Sequence, residues 1–298
     1  MVVRPSTEPA ADRPPETGLD WCRRRFLVAG HPLSMTLPYA AEELRDALLG
    51  LNAIVSEIAA IPGQVGDAGV ARRKLQWWQQ ALVERQPHPA IQAWIESGAS
   101  ARVGVEHFEP LILGIASEIE PPRFEQMSEL DDHCRRVAGP GAALEARLVD
   151  GDDAGFAAAA ERLASLAAAS YRVRMVRDLV LDARHQRWLV PLELQAEYQL
   201  TRQQVAEGEG GHRLDALARH LLTDPVRQLM QPDTGLDGAA HWRHRHALLR
   251  LHLDGRLGRY LVAHTRRLTR ERVAGGGIAA AFSVWRHARR LRRLGKSR

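Results

Sequence analysis

Between Leu163 and Val190 the chain runs without a glycine or proline, and the first interruption is Pro191. Small and apolar residues at Leu163, Leu166, Ala167, Tyr171, Met175 and Leu179 recur at three- and four-residue steps, which is helix spacing. On such a helix Asp178 and Asp182 project from one face, about 5.4 Å apart along the axis. Like charges so placed repel by a few tenths of a kcal/mol and call for compensation. One compensation is a charged ladder on a solvated face, with Arg174, Arg177 and His185 neutralising the pair. The other is a divalent cation, since Mg²⁺ favours one or two carboxylates completed by water and phosphate oxygens. The residues alone leave both open.

With 298 residues, 45% of them hydrophobic, the chain can bury a substantial core as one large domain or two small ones. Alanine, leucine and arginine dominate and β-branched runs are scarce, so the predicted class is all-α. Two cysteines, Cys22 and Cys134, are too few for a disulfide framework and fit a reducing compartment. No apolar run reaches the roughly 18 residues of a membrane span and no signal-peptide core precedes the first helix, so the expected location is cytoplasmic, extending to the inner face of the membrane. The formal charge is +5, and from Trp285 to Arg298 there are six arginines, one lysine and no acid. That stretch suits an anionic membrane surface, at about 1 kcal/mol per basic residue. Nucleic acid is disfavoured because no DNA- or RNA-binding module accompanies the charge. His241, His244, His246 and His252 alternate with arginines that oppose a cation, so they are expected on a polar helix face.

Taken in order, residues 1–16 are rich in proline and charge and are expected to be a disordered tail. Residues 17–284 are expected to form one domain, and 285–298 a basic C-terminal tail. Glu42 to Ile61 carries a continuous apolar stripe. A third helix starts near Arg72, with Leu75, Trp78 and Leu82 on one face. Val105 to Glu120 reads as one helix that ends in an exposed Glu118, and Gly139-Pro140-Gly141 should kink or break the helix that holds Cys134, allowing close packing against a neighbour or access to a cavity. His212 to Leu222 and Asp224 to Met230 read as two short helices, and Leu248 to Val273 as a long one.

The phrase Val176-Arg177-Asp178-Leu179-Val180-Leu181-Asp182-Ala183-Arg184, closed by Arg187-Trp188-Leu189-Val190-Pro191, resembles the second aspartate-rich motif of squalene and phytoene synthases. His133-Cys134-Arg135-Arg136-Val137-Ala138-Gly139 is similar to the family's tyrosine-cysteine-x-x-valine-alanine-glycine stretch, with His133 in the tyrosine place. The segment from Gly30 to Pro38, with Ser34, stands where the family has a serine-aromatic pair, but the aromatic is missing. Leu75-Gln76-Trp77-Trp78 is similar to the degenerate branch that includes the mitochondrial complex I assembly factor. The resemblance implies an isoprenoid-synthase-type antiparallel helix bundle around a central cavity. It implies prenyl diphosphate or an isoprenoid lipid as ligand, Mg²⁺ where diphosphate binding is retained, and Ser34, His133, Tyr171 and Met175 as cavity-lining candidates. Asp178, Asp182, Arg177, Glu57 and Asn52 become the candidates for diphosphate and metal, with Asp178 and Asp182 as the Mg²⁺ ligands.

The first aspartate-rich motif is absent. Its acids would fall near Ser56, Glu57, Ala60 and Ile61, and only Glu57 carries a charge there. The resemblance therefore implies a divergent relative, non-catalytic or altered, that binds an isoprenoid or lipid or assists a membrane complex. The alternative is an Mg²⁺-dependent prenyl transferase that joins two prenyl diphosphates. A purely helical interaction protein, whose aspartates are solvated, would have no cavity.

Overall fold

The computed structural model describes residues 16–120, 122–151, 155–231, 235–268, 272–273 and 275–295. Among them the regular structure is all-α. The helices are α1 Gly18–Phe26, α2 Pro32–Thr36, α3 Arg45–Ala59, α4 Ile61–Gln64, α5 Ala68–Glu84, α6 Pro89–Glu96, α7 Ala99–Arg102 and α8 Glu109–Ala116. They continue as α9 Met127–Asp150, α10 Phe156–Arg184, α11 Leu192–Tyr198, α12 Arg202–Glu207, α13 Gly211–Met230, α14 Gly238–Arg243, α15 Arg245–Ala263 and α16 Ile278–Leu294. The tail expected at 1–16 lies, but for Glu16, outside the described residues.

The uninterrupted stretch seen in the sequence is the C-terminal part of α10, which packs against α9, α12, α13 and α15. A helix that central needs small or apolar residues on several sides, and α10 buries Ala159, Leu163, Ala169, Val173, Val176 and Val180. Two apolar cores result. One is built from α1, α3, α5, α6 and α8, with Leu51, Ile54, Trp78, Trp94 and Phe108. The other is built from α10, α13, α15 and α16, with Val173, Leu217, Leu221, Leu249 and Val284. α9 belongs to both, since Leu130 and Cys134 face the second core while Val137, Leu144 and Leu148 face the first.

α9 runs through Pro140 rather than breaking there. Proline has no N–H for the carbonyl of Arg136 four residues back, so that oxygen leaves the helix ladder. Gly114 of α8 lies directly against it: a Cβ at Gly114 would be 2.3 Å from the Arg136 oxygen. On either side of Pro140, a Cβ at Gly139 would come within 3.3 Å of Ala164 on α10, and one at Gly141 within 3.2 Å of Val55 on α3. The helix is not broken, but the three residues do allow the close packing expected from the sequence, by three other helices.

Other boundaries differ from the sequence expectation for similar reasons. α13 is one helix through Pro225, whose ring is buried, rather than two short ones. Val105–Phe108 is a 3₁₀ turn and only Glu109–Ala116 is α-helical, with Pro110 in its first turn. α15 ends at Ala263 instead of continuing towards Val273. The boundary expected between 284 and 285 falls inside α16, which buries Val284, Ala288 and Leu291. Most of the basic stretch is thus a packed helix, and 296–298 lie outside the described residues. No helix among the described residues is long and apolar enough to cross a membrane.

Candidate functional site

Where the two cores meet, the helices leave a cavity of about 560 Å³, within the roughly 300–1,000 Å³ of small-molecule sites. α3 contributes Asn52, Val55, Ser56 and Ala59, α8 contributes Leu111 and Ile115, and Glu118 follows just past the end of α8. α10 contributes Ala167, Ser170, Tyr171, Arg174 and Arg177; α15 contributes Arg250, Leu253, Asp254 and Leu257. Gly30, His31 and Met35 line it beside Gly275 and Gly276, and a Cβ at Gly276 would be 2.7 Å from the Gly30 oxygen. The lining is largely apolar, with three arginines and two carboxylates.

Glu118 is the organising charge. It is buried, with 8% of its surface exposed, instead of standing free at a helix end. His133 Nε2 lies 2.5 Å from Glu118 Oε1, the Tyr171 hydroxyl donates to Oε2 at 2.6 Å, and Arg187 also donates to Oε2. Burial opposes the Glu118 charge, but His133, Arg187 and Tyr171 together hold its carboxyl below the usual range. Burial, and then the Glu118 charge, push the Tyr171 phenol up. Arg187 reaches this point because Gln186 adopts a left-handed conformation (φ 62°) just after α10. The chain then turns back, and the Arg187 N–H donates to the Asp182 carbonyl at 2.8 Å.

The two aspartates of α10 are occupied by arginines. Arg177 and Arg272 donate to Asp178, Arg272 Nε at 2.7 Å, and Arg187 Nη1 donates to Asp182 at 2.8 Å. Burial works against the Asp178 charge, and the Arg177 and Arg272 hydrogen bonds outweigh it, so the carboxyl is held low. Asp182 is pushed up, by burial first and with Asp178 and Glu118 adding to it, against the pull of Arg187. The ladder expected from the sequence holds only for Arg177, which pairs with Asp178. Arg174 turns to Asp254 at 2.6 Å instead, and the other partners of the pair, Arg187 and Arg272, come from beyond α10.

A second polar node joins three helices. Glu145 of α9 is buried, with His246 Nδ1 2.8 Å from Oε1 and Arg250 Nη2 donating to Oε2 at 2.5 Å. Arg250 also donates to the Asn52 side-chain oxygen. Burial resists the Glu145 charge, but Arg250 and His246 prevail and bring its carboxyl down to about 2. His244 is likewise buried, 2.8 Å from Asp150. The histidines expected on a polar helix face are thus buried: His244 and His246 as partners of α9 carboxylates, His241 against the Asp237 carbonyl and His252 against Ser283. Those carboxylates lie 94 and 101 residues away, which no local spacing could reveal.

Arg177, Asn52 and Tyr171 line the cavity, whereas Asp178 and Asp182 are not among the lining residues. His133 stands behind Glu118. Ser34, whose hydroxyl donates to the His31 carbonyl at 2.7 Å, is not a lining residue, although its neighbour Met35 is. Met175 is buried in the second core rather than lining the cavity. Glu57 is held by Arg25 of α1 at 2.7 Å and does not join the aspartates. Sequence reasoning placed Glu118 at an exposed helix end and missed Arg187, Arg250 and Asp254 as members of the site. A signal existed for Glu118: Leu111, Ile115 and Glu118 are spaced i, i+4, i+7, which puts the acid on the buried stripe.

The donor set does not fit a cluster of Mg²⁺ ions, which wants several carboxylate and water oxygens around each metal. Asp178 and Asp182 are taken up by guanidinium groups, and the α3 wall presents Ser56 and Ala59. Among the described residues no group of three or more histidine, cysteine or acidic side chains converges to hold a metal ion.

The squalene/phytoene synthase family profile matches residues 29–274. No curated protein sequence matches the chain. Among solved structures, a dehydrosqualene synthase in complex with ligand is similar with a TM-score of 0.70 and 11% identity, covering 91% of this chain and 95% of that one. Squalene synthase HpnC from Alicyclobacillus acidocaldarius is similar with a TM-score of 0.60 and 17% identity, covering 86% and 95% respectively. At these identities the likeness is one of fold: the all-α isoprenoid-synthase bundle.

Proposed function

The chain belongs to the squalene/phytoene synthase family, and from that premise we propose that it is a divergent member that holds an isoprenoid or other lipid in its central cavity without condensing prenyl diphosphates. The observation that carries this reading is the neutralisation of Asp178 by Arg177 and Arg272 and of Asp182 by Arg187, beside an α3 wall of Ser56 and Ala59. Ionising an allylic diphosphate releases a leaving group of about three negative charges, and a metal-assisted site needs free carboxylates to hold its cations. Here the carboxylates hold arginines instead. The cavity retains what a lipid needs: an apolar lining from α3, α8 and α15, with the ion-paired guanidiniums of Arg174, Arg177 and Arg250 at its wall, whose remaining N–H groups can meet a polar end. Assistance to a membrane complex, the other role the resemblance implies, would use the outer surface and is compatible with a filled cavity.

The test is to incubate the purified chain with farnesyl or geranylgeranyl diphosphate, with Mg²⁺ and with EDTA. The expected result is a rise in Tm of about 5 °C at a hundredfold excess over Kd, the same in both conditions, without pyrophosphate release. Mg²⁺-dependent release that disappears in Asp178→Asn would overturn the reading in favour of the Mg²⁺-dependent prenyl transferase. Absence of any prenyl-ligand stabilisation would count against lipid binding.

A further inference from the structure

α16 packs with one side and leaves an apolar stripe on the other. Ala280, Val284, Ala288 and Leu291 are buried. Ile278, Phe282 and Trp285, spaced i, i+4, i+7 on the outward side, are 91%, 57% and 42% exposed. The Phe282 and Trp285 rings stack at 5.4 Å, so the stripe is a preformed aromatic surface. Arg289 continues it, with its guanidinium 5.0 Å from the Trp285 ring. Arg286, Arg290, Arg292 and Arg293 are exposed around its C-terminal half, and no acid occurs between Ile278 and Arg298. Among the described residues none of these arginines is in an ion pair.

We propose that this outward face docks on an anionic lipid bilayer, with Ile278, Phe282 and Trp285 entering the headgroup and acyl boundary and the arginines meeting lipid phosphates. A helix lying in the plane of the interface needs an apolar stripe, amphipathic aromatics at headgroup depth and cations beside them, and α16 carries all three. Charge selects the occupant. A second copy meeting this one through the same face would bring two sets of arginines together. A nucleic acid would engage the arginines and leave Ile278 and Phe282 in water. A bilayer surface with acidic lipid satisfies both halves.

The placement has a consequence for the rest of the molecule. Gly275 and Gly276, which line the central cavity, lie just before Ile278 in the chain. A bilayer seated on α16 is therefore next to a segment that walls the cavity. The docking does not depend on what the cavity holds, and its test is separate from that of the ligand.

The full chain is co-sedimented with phosphatidylcholine vesicles and with vesicles in which about a third of the lipid is phosphatidylglycerol. Binding is expected to be at least about tenfold tighter to the anionic vesicles and to weaken as salt is raised. The Phe282→Ser/Trp285→Ser variant, altered only at exposed positions, should retain the parent Tm and lose at least about tenfold in vesicle affinity. The inference is overturned if the chain fails to sediment with anionic vesicles, or if the serine variant binds as the parent does. It is equally overturned if analytical ultracentrifugation finds a dimer that the serine variant dissociates while neither form binds vesicles.

Discussion

At the residue scale, Glu118 accepts from groups on three other segments, so its replacement tests whether the node is held by charge or by shape. Glu118→Gln keeps the shape but turns an amide nitrogen towards donors that need an acceptor, and it leaves Arg187 with less negative charge to face. The expected cost is about 3 kcal/mol, measured as a lower urea midpoint at pH 7. Because the folded Glu118 and Glu145 carboxyls are held below the ordinary value, their contribution is present above about pH 4.5 and is lost as pH falls through the folded values, about 2 for Glu145. A second acid-sensitive pair lies between α15 and α16, where the His252 and His287 rings stack 4.1 Å apart. Burial first, then His287, Arg256, Arg259 and Arg286, bring His252 down to about 3; burial first, then Arg290 and His241, bring His287 down to about 4. Both are favoured neutral in the folded state, so their contribution is complete above about pH 6.5 and is lost as pH drops towards 4 and 3. His287→Leu should flatten the fall in urea midpoint between pH 6.5 and 4 relative to the parent chain. Of these residues only Glu118 was readable beforehand, through its spacing from Leu111 and Ile115. The histidines carry no local mark that separates a buried pair from an exposed one.

At the element scale, α8 and α9 illustrate how a helix contact can be decided by backbone atoms. The carbonyl released by Pro140 sits against Gly114, and a methyl group at that position would meet it at 2.3 Å. Gly114→Ala should therefore cost about 1–3 kcal/mol, measured by thermal and urea unfolding, since neither backbone can give way without moving its helix. Pro140→Ala supplies the missing N–H and draws the Arg136 carbonyl back into the ladder, so it should partly relieve the clash when combined with Gly114→Ala. That coupling is read from a double-mutant cycle. Periodicity was enough to find most helices, because a buried stripe repeats every three to four residues whatever it packs against. It failed at Pro140 and Pro225, where proline is tolerated because a neighbouring helix or a buried ring position accepts the distortion.

At the scale of the whole molecule, α9 contributes to both apolar cores and Tyr171 packs against both, so the halves should not unfold separately. Leu148→Ala, at the α9 face of the first core, should cost about 3 kcal/mol and shift tryptophan fluorescence and far-UV circular dichroism together. Separate transitions would show that α9 does not couple the halves. The amino-acid sequence by itself determined the helical class, the central place of α10, the pairing of Asp178 with Asp182 on one helix, and the resemblance that the family match bears out. These are properties of short repeats and ordered motifs, and they are written along the chain. What only the tertiary structure decided is which charge meets which: Arg187 folding back onto Asp182 and Glu118, Arg272 reaching Asp178 from 94 residues away, and Arg250 bridging Glu145 and Asn52. An arginine's partner is set by where its helix lies in space. In the sequence these guanidiniums are indistinguishable from the many others of a chain with 41 basic residues.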